Sequence, residues 1–120
     1  MSIADDEKRV AQILGIKEGE ELPDVSDEYL EVYHQYLTDH LSFPFEAEET
    51  RPLEDTYFNI KIIGLSDPDE SADSDSYGLF CYGKQGRRKM VVPLAEIEAK
   101  EKDENEKLVD DYKMWFWNYR

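Results

Sequence analysis

Tyr57-Phe58-Asn59-Ile60-Lys61-Ile62-Ile63-Gly64-Leu65 alternates its side chains, with Phe58, Ile60 and Ile62 on one face and Asn59 and Lys61 on the other. Period two over such a run marks a strand with one buried face. Downstream, Tyr77 to Tyr82 and Lys89 to Leu94 read as two more strands, joined across Gly83-Lys84-Gln85-Gly86, a glycine-bearing turn ahead of Arg87, Arg88 and Lys89. Pro93 has no N–H for a ladder, so the third strand is expected to end there or to lie at an edge. The centre of the chain therefore predicts an antiparallel meander of three or more strands.

On either side of the meander the period changes to that of a helix. Ile3, Val10, Ile13 and Leu14 recur at roughly helical spacing, with Ser2 as the expected cap and Gly15 as the stop. Lys17 to Pro23 is a polar connector. Ser26, followed by Asp27 and Glu28 in a first turn, opens a second helix whose Tyr29, Leu30, Tyr33, Leu37 and Leu41 form an apolar stripe before Pro44. Near the other end, Leu108, Val109, Tyr112, Trp115, Phe116 and Tyr119 lie on one face of a third helix, with Asn105 as the expected N-cap. The order predicts an α+β fold: two N-terminal helices, a small, strongly bent antiparallel sheet of barrel-like character, and a C-terminal helix.

Charge sets this chain apart. It carries 29 Asp and Glu against 14 Lys and Arg in 120 residues, a formal charge of -15. Such an excess opposes compaction unless counter-ions, basic partners or bound metal offset it. The chain is still globular in composition, with 12% aromatic residues, too many for a disordered acidic tail. One domain spanning residues 1–120 is expected, with 1–23 a peripheral helix and connector. Cys81 is the single cysteine, so no disulfide can close within the chain. Neither a basic-then-apolar leader nor an apolar run of membrane-spanning length is seen, which reads as cytoplasmic with no membrane partner. Nucleic acid is excluded as a partner because its phosphates would be repelled.

Three groups of carboxylates could hold a hard cation. Asp67, Asp69, Asp73 and Asp75 fall at alternate positions of a loop between strands, yet the loop is no EF-hand: the glycine expected at its sixth position is Ala72 and the glutamate expected at its twelfth is Gly78. Asp39, Glu46, Glu48 and Glu49 surround a helix end and the Phe43-Pro44-Phe45 turn, where freed carbonyls can add to carboxylate oxygens. Asp103, Glu104, Glu106, Asp110 and Asp111 lie on and before the last helix. Glu106 and Asp110 are one turn apart there, a like-charge pair that costs about 0.2–0.5 kcal/mol if nothing bridges it. His34 and His40 fall on different helix faces and, with one Cys, cannot close a zinc site. No phosphate cradle or catalytic constellation is apparent, and no enzyme is expected.

Leu41-Ser42-Phe43-Pro44-Phe45-Glu46-Ala47, Gly64-Leu65, Tyr77-Gly78-Leu79, Gly86-Arg87-Arg88, Val92-Pro93-Leu94, and then Asn105, Leu108, Asp110-Asp111-Tyr112 and Trp115-Phe116-Trp117-Asn118 resemble the small acidic cyanobacterial calcium-binding protein family. The match runs from about Val25 to Arg120, the expected family core. The resemblance implies Ca²⁺ sequestration outside any EF-hand, buffering of the free ion and an influence on calcium-dependent signalling. Glu46 and Asp110 coincide with its motif positions. Asp39, Glu48, Asp67, Asp69, Asp73, Asp75, Asp103 and Glu106 are ligand candidates on their chemistry alone. The rival reading is an acidic module that mimics a polyanion to capture a basic protein.

Overall fold

The computed structural model describes residues 5–17, 20–51, 56–66, 78–100 and 103–119. The fold is α+β, as the periodicities predict. Its order is α1 (Asp5–Leu14), α2 (Asp27–His40), β1 (Phe45–Arg51), β2 (Thr56–Leu65), β3 (Phe80–Gln85), β4 (Arg88–Pro93), a 3-10 turn (Leu94–Glu96), β5 (Ile97–Ala99) and α3 (Glu104–Tyr119).

Local chemistry explains where the helices begin and end. Asp5, Asp6 and Glu7 occupy the first turn of α1, where carboxylates offset the helix dipole. The helix stops in a Schellman arrangement: Gly15, at φ 74°, donates to the Gln12 carbonyl, and Ile16 N–H donates to the Ala11 carbonyl at 2.8 Å. The expected cap Ser2 lies outside the described residues. Ser26 caps α2 as predicted, its hydroxyl accepting from the Tyr29 N–H. For α3 the expected cap is corrected. Asp103 accepts from the Asn105 and Glu106 N–H groups at 2.9 and 3.3 Å, and Asn105 is turned inward instead. Its amide clasps Ser42, accepting from the Ser42 N–H at 3.0 Å and donating to the Ser42 carbonyl at 2.9 Å.

The strands form a five-stranded antiparallel sheet in the order β4-β3-β2-β1-β5. The sheet is open: β4 and β5 are edges, and the barrel-like closure expected from the sequence is not formed. Pro93 ends an edge strand, where its missing N–H is harmless. Two strands were not anticipated. β1 runs through the acidic stretch after Phe45, and β5 is three residues long. The expected turn across Gly83 to Gly86 is corrected. β3 starts at Phe80 and continues through Gly83, Lys84 and Gln85, which pair with β4. The hairpin turns at Gly86-Arg87, with Gly86 at φ 64°, and β2 carries a bulge between Ile62 and Gly64 where it meets β3.

One face of the sheet, bearing Ala47, Ile60, Ile62, Cys81, Val92 and Ile97, is buried in a single core with Leu30, Tyr33 and Leu37 of α2 and Leu108, Tyr112, Trp115 and Phe116 of α3. Aromatic rings knit the helices. Tyr33 meets Tyr112 edge-on at 5.2 Å and stacks on Trp115 at 5.5 Å. Their polar tips are used: the Trp115 indole N–H donates to the Pro23 carbonyl, and the Tyr112 hydroxyl accepts from the Leu79 N–H, both at 2.9 Å. Gly78 is required there, because its φ is 73° and a β-carbon would run into the Tyr112 hydroxyl and the Phe116 ring. α1 is tied in by Val10, fully buried, and Leu14.

Candidate metal centre

The last helix presents two faces, and neighbouring carboxylates fall on different ones. Leu108, Asp111, Tyr112 and Trp115 are buried, so the 3.6-residue period carries Asp111 inward. There Arg9 of α1 reaches it with Nε and Nη2, at 2.6 and 2.9 Å from the two carboxylate oxygens. This bidentate pair gives both oxygens of Asp111 a cationic partner, so its charge is balanced within the fold. It links α1 to α3.

Glu106, Asp110, Lys113 and Trp117 fall at successive turns on another face of α3, beside the 3-10 turn and β5. Trp117, half exposed, fixes that face by donating from its indole N–H to the Ala95 carbonyl at 3.0 Å. Asp110 is exposed at its surface, yet its carboxyl is held above the ordinary carboxylate value. Partial loss of hydration is the leading cause, Glu106 adds to it, Lys113 opposes it, and Glu98 and Asp111 add again. Glu98 on β5 therefore belongs to the same electrostatic group. Lys113 Nζ lies 3.8 Å from Glu98.

The sheet extends this group. Glu98 stands directly opposite Glu48 in the β1–β5 ladder, a like-charge cross-strand pair that is unfavourable unless a cation intervenes. Glu48, Glu98, Asp110 and Glu106 thus form a line of carboxylates from the second strand of the sheet, across its edge, to the helix. All are hard oxygen donors suited to a divalent ion. They are not drawn into a cage. Among the described residues no three such side chains are already close enough together to hold a metal.

The remaining candidates are placed elsewhere. Asp103 is engaged in capping α3, and Asp39 accepts two hydrogen bonds from Gln35 near the end of α2. Glu46 is exposed opposite Lys61 on β2. Glu49, on the core side of β1, is buried at 8% exposure. Asp67, Asp69, Asp73 and Asp75 lie outside the described residues. Glu98 is the residue that reading the sequence missed. Its signal was Ile97-Glu98-Ala99, a polar residue between two apolar ones, too short a run to register as a strand.

Comparison with known proteins bears on the family and the fold. A family model described as calcium binding, of the CcbP type, matches residues 23–116. The crystal structure of Anabaena CcbP superposes with a TM-score of 0.66 at 20% identity, covering 100% of this chain and 94% of that one. A calcium-binding protein in its calcium-binding form superposes with a TM-score of 0.68 at 19% identity, covering 98% of this chain and 99% of that one. No curated protein sequence matches. The resemblance seen in the Phe-Pro-Phe-Glu and Asp-Asp-Tyr motifs is thus shown across most of the chain: the protein belongs to the CcbP family of calcium-binding proteins, whose ion is Ca²⁺.

Proposed function

We propose that this protein takes up Ca²⁺ reversibly at the β1–β5–α3 edge, with Glu48, Glu98, Glu106 and Asp110 as the carboxylate ligands and backbone carbonyls and water completing the shell. The observation that carries the reading is the register that sets Glu48 against Glu98, next to a helix face whose Asp110 already resists ionisation. Each of the four side chains is separated from the next by repulsion that a divalent cation relieves. Calcium suits this arrangement better than magnesium, because it accepts six to eight oxygens in irregular geometry, whereas magnesium demands a near-ideal octahedron.

A site whose ligands are apart before the ion arrives fits reversible buffering. Closing it costs side-chain freedom, which moderates affinity and allows release. We infer that the protein lowers free calcium in the cytoplasm and so shapes calcium-dependent signalling, with no catalytic step of its own. Asp39, Glu46, Asp103 and the loop aspartates Asp67, Asp69, Asp73 and Asp75 remain proposed as contributors to further, weaker uptake.

Isothermal titration of the demetallated protein tests this. Heat of uptake in calcium, and a much smaller signal in magnesium at matched ionic strength, is the expected result. No uptake at millimolar calcium overturns the reading. Uptake unaffected by Glu98→Gln and Asp110→Asn together would move the site away from this edge.

A further inference from the structure

The outward face of the sheet is divided in charge: its β1–β5 side carries Glu46, Glu48 and Glu98, whereas its β2–β3–β4 side is basic. Lys61, Lys84 and Lys89 stand in one cross-strand row on β2, β3 and β4, through the pairs Lys61↔Lys84 and Lys84↔Lys89. Arg87 lies beyond it at the hairpin tip, and Arg88, paired with Gln85, falls on the opposite side by strand alternation. In a chain with 29 carboxylates, none of these five cations is within ion-pair distance of one among the described residues. Two residues along the strands from the lysine row lies an apolar patch: Ile63 at the bulge, and the cross-strand pair Tyr82 and Val91, with exposures of 40%, 37% and 54%. Adjacent strands are about 4.8 Å apart, so cations and apolar groups share one small, continuous surface.

A complementary surface exists on the same molecule. Glu28, Glu31, Val32 and Gln35 are exposed together on the outward side of α2, away from the buried Leu30, Tyr33 and Leu37. Val32, 40% exposed, is the large apolar residue of that helix left uncovered. Neither Glu28 nor Glu31 has a cationic partner among the described residues.

We propose that the β2–β3–β4 outer face docks a second copy of this chain through the α2 stripe, with Val32 seated on Tyr82 and Val91 and with Glu28 and Glu31 against the lysine row. The net charge of -15 does not forbid this. At physiological salt, charges beyond about 8 Å are largely screened, so the local complementarity dominates the contact. Because the two surfaces are different patches, the contact is heterologous and builds rings or open chains instead of a two-fold dimer. Average mass should therefore climb with concentration without settling at a dimer.

Analytical ultracentrifugation of the whole protein over a concentration series tests the proposal. The wild type is expected to self-associate. Lys84→Glu with Lys89→Glu, and separately Glu28→Lys with Glu31→Lys, should each weaken association at least about tenfold. A mixture of the two double variants should associate again, because the intact lysine row of one meets the intact glutamates of the other and the two charge-reversed surfaces are complementary as well. That restored pairing also shows that both variants fold. A wild type that stays monomeric at every concentration overturns the proposal, as does association that survives both sets of substitutions. Binding of polyglutamate or of anionic vesicles by a chain that remains monomeric would assign the face to another partner and equally overturn it. Calcium uptake measured on the same variants should be unchanged, which separates this question from that of the metal centre.

Discussion

Asp110 and Asp111 are consecutive in the chain and inhabit different electrostatic worlds. Asp111 faces the junction of α1 and α3, where its side chain is 4% exposed and both oxygens are held by Arg9. Asp110 faces the β5 edge, where Glu106 and Glu98 surround it and Lys113 is the nearby cation. At the first junction charge is neutralised within the fold; at the second it is left in excess. The lesson is that acid content alone says little about metal binding in this protein. In the proposed site, what matters is whether a carboxylate already has a partner.

The largest effect should come from breaking the satisfied junction. Arg9→Leu strands a buried carboxylate, and removing one partner of such a pair costs about 3 kcal/mol. On a chain of this size the melting temperature should fall by on the order of 10 °C. The extra stability conferred by calcium should survive intact. Should calcium stabilisation vanish with Arg9, the two regions would not be independent.

The converse change addresses the unsatisfied edge. At a hundredfold excess over its dissociation constant, calcium should add about 2.7 kcal/mol to the wild type. In Glu98→Gln with Asp110→Asn most of that increment should be lost, while the calcium-free protein gains a few tenths of a kcal/mol, on the order of one like-charge contact. Melting in calcium and in chelator reads both quantities.

Titration of Asp110 gives a smaller, signed effect. Its folded pKa is raised above the unfolded value, so the folded state binds that proton more tightly. The resulting stability is fully present below the ordinary carboxylate pKa and is lost as pH rises through the folded value. At the proposed site calcium would compete with the same proton. Uptake should weaken as pH falls into that window and release protons there, and Asp110→Asn should flatten this part of the profile.

Lys113 should matter least. Its partner Glu98 is 63% exposed at 3.8 Å, and exposed pairs contribute little. Lys113→Ala should leave stability nearly unchanged and tighten calcium about twofold by removing a competing cation. A loss of affinity instead would mean that Lys113 positions Glu98 rather than competing at the site.

Much of the architecture could be read from periodicity. The stripes of α2 and α3 and the alternation of β2 are local patterns that formed close to their expected places, while the hairpin of β3 and β4 formed with its turn at Gly86-Arg87, further along than expected. β1 was hidden because Glu46-Ala47-Glu48-Glu49 is poor in strand-forming residues. It is a strand because β2 and β5 pair with it on both sides, and that tertiary pairing overrides propensity. The Asn105 cap was misassigned for a related reason. Its amide is claimed by Ser42, 63 positions away, and Asp103 takes its place at the helix end.

The sequence by itself determined the helix faces, the alternation of the central strands, the charge excess and, through its motifs, the family. These follow from the spacing of side chains along a regular backbone, which is a local property. Which carboxylates have partners was decided only by the tertiary structure. Arg9 meets Asp111 across 102 positions, and Glu48 faces Glu98 only because two strands pair in one register. A Coulomb interaction depends on distance in space, and folding sets that distance.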